Sequence, residues 1–175
     1  VPALTVETVQ QLAREYEFFH WGLQFPQVRA SGGFEVVLGN PPWERVKIQE
    51  QEFFASRSSD VMAASTASLR GKINSKLAET NPELWGEWNA ATRRASGTKQ
   101  FLRQSGRYPR CGVGDVNTYA VFAEGSRALL ASGGRMGQLL PSGIVSDDST
   151  KLFFQDLMEK KELVAFFDFE NRNGL

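Results

Sequence analysis

Residues 34–47, FEVVLGNPPWERVK, restrict the fold more than any other stretch of the chain. The apolar run 34–38 lies between glycines, as a short strand buried on both faces of a parallel sheet would. It then meets Gly39, Asn40, Pro41, Pro42 and Trp43. Two consecutive prolines forbid continuing either a central strand or a helix, because each removes an N–H donor and fixes φ. The strand must therefore stop at Gly39, with the Asn-Pro-Pro-Trp run held stiffly at its carboxyl end. In open α/β sheets that end is where ligands bind.

Strands alternate with helical text after position 34, and the expected class is α/β with a parallel sheet. Residues 5–19 have the apolar spacing of a helix with Thr5 as its cap. Residues 20–33 read as an aromatic-rich connection, with His20 a structural member of a cluster with Phe18, Phe19 and Trp21. The text is helical from 48 to 97, interrupted at Pro82, where Thr80-Asn81-Pro82-Glu83 starts a fresh helix. A basic loop is expected over 98–114. A helix is expected over 115–134, with Asp115 and Asn117 as caps and Gly133-Gly134 as its stop. A strand at 135–140, an amphipathic helix at 149–161 and a last strand at 163–169 complete the reading. Asp168 and Glu170, at the end of that last strand, carry little functional weight.

Composition removes several function classes. The 175 residues, 41% of them hydrophobic, suit one domain with a real core. Twenty basic and twenty acidic side chains cancel, so only local patches can attract a polyanion. One cysteine, Cys111, excludes a disulfide framework and a cysteine-rich zinc site. One histidine, His20, argues against histidine metal sites and histidine-dependent triads, so no metal is expected. No apolar run approaches the ~20 residues that cross a bilayer, and no signal peptide is visible, so a cytoplasmic setting without membrane partners is expected.

The chemistry concentrates at the strand end. Asn40 offers a carbonyl acceptor and an amide donor. The tandem prolines leave the Pro41 carbonyl free, and Trp43 presents a broad apolar face two residues on. Two fixed acceptors beside a stacking platform suit a planar group bearing an NH2. Accepting both hydrogens of such an amine favours a pyramidal nitrogen able to attack an electrophilic methyl carbon in line. The plainer alternative is a rigid turn with a core tryptophan.

The NPPW stretch after an apolar strand resembles the catalytic motif of adenine-N6 DNA methyltransferases: Asn or Asp, Pro, Pro, then an aromatic. The segments EFFHWGLQFPQV (17–28), SGRYPRCGVGDVNTYAVFAE (105–124), GGRMGQLLPSGI (133–144) and FFDFENRNGL (166–175) have an order and spacing similar to the large methylases of type IIG restriction–modification and BREX-like phage-defence systems. The resemblance spans nearly the whole chain. It implies a partial Rossmann-like, S-adenosylmethionine-dependent methyltransferase fold with a helical insertion over about 48–114. It implies that Asn40 and Pro41 hold the adenine amine, with Pro42 completing the motif and Trp43 stacking on the flipped base. The family's glycine-rich cofactor motif lies before the catalytic strand, and residues 1–33 do not supply it. The chain is thus expected to be the catalytic part of a methyltransferase domain within a longer polypeptide. That places 34–38 at the centre of a seven-stranded sheet, parallel to 135–140, with its other edge open to the rest of the polypeptide.

Six basic residues, Arg93, Arg94, Lys99, Arg103, Arg107 and Arg110, occur with no acidic residue between 88 and 114. They are the candidates for contacting double-stranded DNA, against the alternative of a solvated face. Two rival functions remain open from the residues alone. One keeps the motif but methylates RNA or a protein glutamine amide; the other is a non-catalytic scaffold module of a defence complex.

Overall fold

The computed structural model describes residues 5–58, 71 and 76–170. The chain divides into two compact units, Val1–Leu38 with Ser126–Gly137, and Gly39–Gly125 with Gln138–Leu175.

In the first unit, helix α1 (Val6–Tyr16) starts where the Thr5 hydroxyl accepts the Thr8 N–H at 3.2 Å. It ends at Glu17 in the left-handed region. Its apolar residues Val6 and Val9 stay exposed. The expected connection over 20–33 instead folds into two short helices, α2 (Trp21–Gln24) and α3 (Pro26–Ala30). Pro26 opens α3, where its missing N–H is no loss. Trp21, Phe25 and Phe34 form a cluster with ring centroids 5.5–5.9 Å apart. Phe19 joins it edge-on to Trp21 at 5.0 Å, whereas Phe18 stacks on Tyr16, so the expected aromatic cluster forms with different members.

Strand β1 (Phe34–Gly39) pairs with β2 (Leu130–Gln138), and the described residues contain no other strand. The pairing is parallel: Phe34 N–H donates to Leu129 O at 2.8 Å at one end, and Leu139 N–H to Gly39 O at 3.1 Å at the other. Two expectations change here. The helix expected over 115–134 ends at Ala128, and Gly133-Gly134 lie inside β2. Glycine serves close approach there, since a Cβ on Gly134 would sit 2.8 Å from the Phe34 carbonyl. The strand expected to be buried on both faces is largely open, with Val36 57% and Leu38 77% exposed. Only β2 pairs with it, and Val36 and Leu38, two residues apart on one face, are left largely uncovered by the described residues.

In the second unit, α4 (Glu50–Phe54), residues 76–80 and α5 (Pro82–Gln104) form the helical stretch, and residues 59–70 and 72–75 of the expected helical text lie outside the described residues. The Asn81 side chain caps α5 by accepting the Leu84 N–H at 3.1 Å, as Asn-Pro-Glu foretold. Phe54, Leu77 and Leu84 bury together, with Phe53, Trp85 and Trp88 around them. Helix α5 runs seven residues into the segment read as a loop. A single interior glycine such as Gly97 costs about 1 kcal/mol, and burial of Leu102 on the last turns opposes it.

Helix α6 (Thr118–Ala128) is the centre of the main core. Tyr119, Ala120, Val121 and Ala123 bury against Leu102, Cys111, Val116, Ile144 and Phe153. The short α7 (Gly143–Ser146) and α8 (Lys151–Glu159) close it, joined by Thr150, whose hydroxyl is 2.7 Å from Gly143 O and 3.0 Å from Asp147 O. The last strand expected, 163–169, does not form. These residues have no regular structure, and Val164, Phe167 and Phe169 are exposed. A strand exists only with a pairing neighbour, and composition alone cannot provide one.

Gly33 starts β1 at φ +133°, and a Cβ there would lie 2.6 Å from both Ala131 N and Leu129 O. Gly33→Ala should therefore destabilise the protein by roughly 1–3 kcal/mol, read as a lower urea midpoint. An unchanged midpoint would mean that this close approach is not obligatory.

Candidate active site

The strand β1 delivers Gly39, and the chain then turns through Asn40, buried Pro41, Pro42 and Trp43. The next residues, 44–46, lie antiparallel to 115–118, the segment leading into α6. Val46 N–H donates to Val116 O at 3.0 Å, Thr118 N–H to Glu44 O at 2.9 Å, and Arg45 bridges Asn117. Thr118 Oγ1 lies 2.7 Å from Pro42 O, which it serves as donor, and accepts the Glu44 N–H at 3.0 Å. Arg45 pairs with Asp115 at 3.3 Å on an exposed surface, a contact of small energetic weight. The loop is thus sewn to the head of the helix that carries the core.

The seam leaves two polar groups of the turn unused. Among the described residues, neither the Asn40 side chain nor the Pro41 carbonyl makes a hydrogen bond, while the Pro42 carbonyl is taken by Thr118. Asn40 is exposed, and Trp43 is 53% exposed with no aromatic neighbour among the described residues. Trp43 is therefore not the core tryptophan of the plainer alternative. The arrangement offers an amide oxygen, a backbone carbonyl and an open indole face on one anchored turn.

Asn117 stands at the head of α6 as expected, its carbonyl accepting the Val121 N–H at 3.3 Å, but neither its side chain nor that of Asp115 makes a cap hydrogen bond among the described residues. Residues 115–117 are drawn out to pair with 44–46, Asp115 meets Arg45, and the Asn117 amide turns back to the Asp115 carbonyl at 3.4 Å. Thr118 and Glu44 escaped the sequence reading. A threonine at a helix start was visible, but nothing local links positions 74 residues apart.

The six basic residues separate into different environments. Arg93, Arg94, Lys99 and Arg103 are on α5 rather than on a loop, and Arg107 and Arg110 lie just beyond it. Arg110 is an internal member of the fold: its guanidinium lies 2.6 Å from Asp156 and 3.8 Å from Glu124. Its charge is engaged inside the fold, and freeing it would strand a buried carboxylate. Arg103 donates to the Gly114 carbonyl. Arg93 and Arg107 project as exposed side chains and Lys99 is half-buried; none of the three has an ion pair among the described residues.

Residues 3–74, a span that includes the whole Asn40–Trp43 turn, match the family model described as Eco57I restriction-modification methylase. The match covers less than half of the chain and supports a relationship to restriction-modification methylases, and so a DNA methyltransferase enzyme. No curated protein matches the chain, and no solved structure does. Residues 5–33 form α1, α2 and α3 and contain no strand. Among the described residues no group of three or more His, Cys, Asp or Glu can hold a metal ion, and no helix is long and apolar enough to cross a membrane.

The remaining reactive side chains are locked into the core. Burial, with the Glu124 carboxylate beside it, raises the Cys111 thiol well above its ordinary range, so it is no nucleophile. Burial and then the Asp147 carboxylate, 3.2 Å from its hydroxyl, push Tyr119 from 10.0 up to about 12. Both groups fold preferentially in their protonated, neutral form, so stability is full below their unfolded values and falls as alkali removes the unfolded chain's protons. The urea midpoint should decline as pH rises from 10.0 toward about 12. Tyr119→Phe should weaken that decline, leaving the share due to Cys111. An equally steep decline in the variant would show that the Tyr119–Asp147 contact carries none of it.

Proposed function

We propose that this chain is the catalytic part of a site-specific DNA adenine-N6 methyltransferase that takes its methyl group from S-adenosylmethionine in a restriction–modification or phage-defence system. The observation that carries the reading is the Asn40–Trp43 turn. Its Asn40 amide and Pro41 carbonyl carry no internal hydrogen bond among the described residues, while its neighbours are tied to α6.

An exocyclic adenine amine is poorly nucleophilic because its lone pair is shared with the ring. With one hydrogen accepted by Asn40 Oδ1 and the other by the Pro41 carbonyl, the nitrogen becomes pyramidal and its lone pair is freed for the methyl carbon. The carbonyls would act by position and charge: as the N–CH3 bond forms the S–CH3 bond of the sulfonium donor breaks, leaving the neutral thioether S-adenosylhomocysteine, and the methylated nitrogen then loses one proton to water. The open face of Trp43 stacks on the base once it has left the duplex. S-adenosylmethionine supplies the electrophilic methyl; the residues that bind it are not assigned in this chain. The sheet is completed by further strands of the parent polypeptide, a reading supported by the exposed Val36 and Leu38 of β1, since a two-stranded sheet is marginal in water.

The test is transfer of labelled methyl from S-adenosylmethionine to unmethylated genomic DNA by the full-length protein, with the product digested to nucleosides. N6-methyladenine is expected. Asn40→Ala should lower the rate by about 10²-fold or more with little change in stability, because Asn40 is exposed. Trp43→Phe should retain activity and Trp43→Ala should lose base capture. Product at another base or no product overturns the reading, as does a wild-type rate in Asn40→Ala.

Double-stranded DNA is proposed to meet the basic side chains of α5 and the turn after it. Replacing Lys99 and Arg107 by Gln should weaken binding to all sequences alike and flatten the salt dependence by about 0.9 for each phosphate no longer neutralised. Arg110→Gln should instead lower stability, through the stranded Glu124 and Asp156. A salt slope unchanged by the double replacement would make the basic segment a solvated face.

A further inference from the structure

We infer that Thr118 is a positioning residue that sets the aim of Trp43 and of the Pro41 carbonyl, an inference resting on the function proposed above. Pro41 and Pro42 fix φ at two positions but leave ψ open, and neither has an N–H with which to anchor the turn. Trp43 is 53% exposed and has no ring neighbour among the described residues, so no ring contact fixes its orientation. The constraint comes from one oxygen. Thr118 Oγ1 donates to the Pro42 carbonyl at 2.7 Å and accepts the Glu44 N–H at 3.0 Å. These two groups flank Trp43, so a single hydroxyl ties the peptide units on either side of it. The Glu44 carbonyl also lies 3.0 Å from Oγ1, but it already receives the Thr118 N–H at 2.9 Å. The shorter Pro42 contact takes the hydroxyl proton.

The same contact decides which carbonyl stays free. By holding Pro42 O toward α6, Thr118 leaves Pro41 O as the uncommitted acceptor beside Asn40. Thr118 touches neither of the proposed acceptors itself, so its effect passes through the backbone of the turn. A residue that only started α6 would need its N–H and carbonyl alone, and valine would replace it in shape.

The experiment compares Thr118→Val, Thr118→Ser and Asn40→Ala in the full-length protein, reading methyl transfer to unmethylated genomic DNA and hydrogen exchange of the backbone amides. Thr118→Val removes two hydrogen bonds and should lower methyl transfer about tenfold. It should also speed exchange at the Glu44 amide, with residues 119–123 of α6 still protected. Thr118→Ser keeps the hydroxyl and should restore both readings. A wild-type rate in Thr118→Val alongside an inactive Asn40→Ala overturns the inference and spares the function. Wild-type rates in both variants overturn the function, while the exchange reading still judges whether the hydroxyl holds the turn. Should Thr118→Val fail to fold, a folded but inactive Thr118→Ser overturns the inference. So does accelerated exchange spread along the whole of α6.

Discussion

The antiparallel seam between residues 42–46 and 115–118 is the constraint on which the candidate site depends. Pro41 and Pro42 remove two of the donors a turn would normally use to hold itself, so its shape must be imposed from outside. The seam does this with backbone bonds from Val46 and Thr118 and with the Thr118 hydroxyl. Each such bond contributes only about 1 kcal/mol net. Their value is geometric, because they join the turn to α6, whose next residues, Tyr119, Ala120 and Val121, are all buried. Moving the turn would require moving a core helix.

A second constraint stabilises the other side of that helix. Glu124 is 6% exposed, and a bare carboxylate there would be costly. Instead it accepts the Arg110 N–H at 3.1 Å and the Cys111 N–H at 2.8 Å, with the Arg110 guanidinium 3.8 Å away. Arg110 continues to Asp156 of α8, which Lys160 also meets at 3.3 Å. The acidic residue thus fixes the end of the loop that leads toward the seam, and it draws one arginine out of the basic segment. Charge that looked available for a partner is spent inside the fold.

The parts legible in the sequence were those with local causes. Asn81-Pro82-Glu83 marked a helix start because cap and proline act within one turn, and residues 34–38 formed a strand ended where Asn40 and the prolines ended it. Trp43 is 53% exposed and the Asn40 side chain makes no hydrogen bond among the described residues, so neither is committed to the core. The parts that were not legible depend on distant partners. Asp115 and Asn117 looked like side-chain caps, but Asp115 pairs with Arg45 while residues 44–46 bond the backbone of Val116 and Thr118, and Arg110 looked free until Glu124 and Asp156 claimed its side chain. Gly133-Gly134 looked like a helix stop, yet a neighbouring strand uses the missing Cβ of Gly134.

Residues 163–169 and β1 carry the same lesson to its physical end. Both have the apolar composition of buried strands, and both remain open: Leu38 is 77% exposed and Phe169 79%. Exposed apolar side chains on a strand with one bare edge favour association with another strand, since pairing satisfies backbone groups and removes apolar surface from water together. The composition of these segments and their surroundings are therefore at odds. A turn that must aim two acceptors within a few tenths of an ångström needs a stiff strand behind it. Under the proposed function, the strands that cover β1 would serve catalysis as well as stability, by holding Gly39 still while the Thr118 seam holds the residues beyond Pro41.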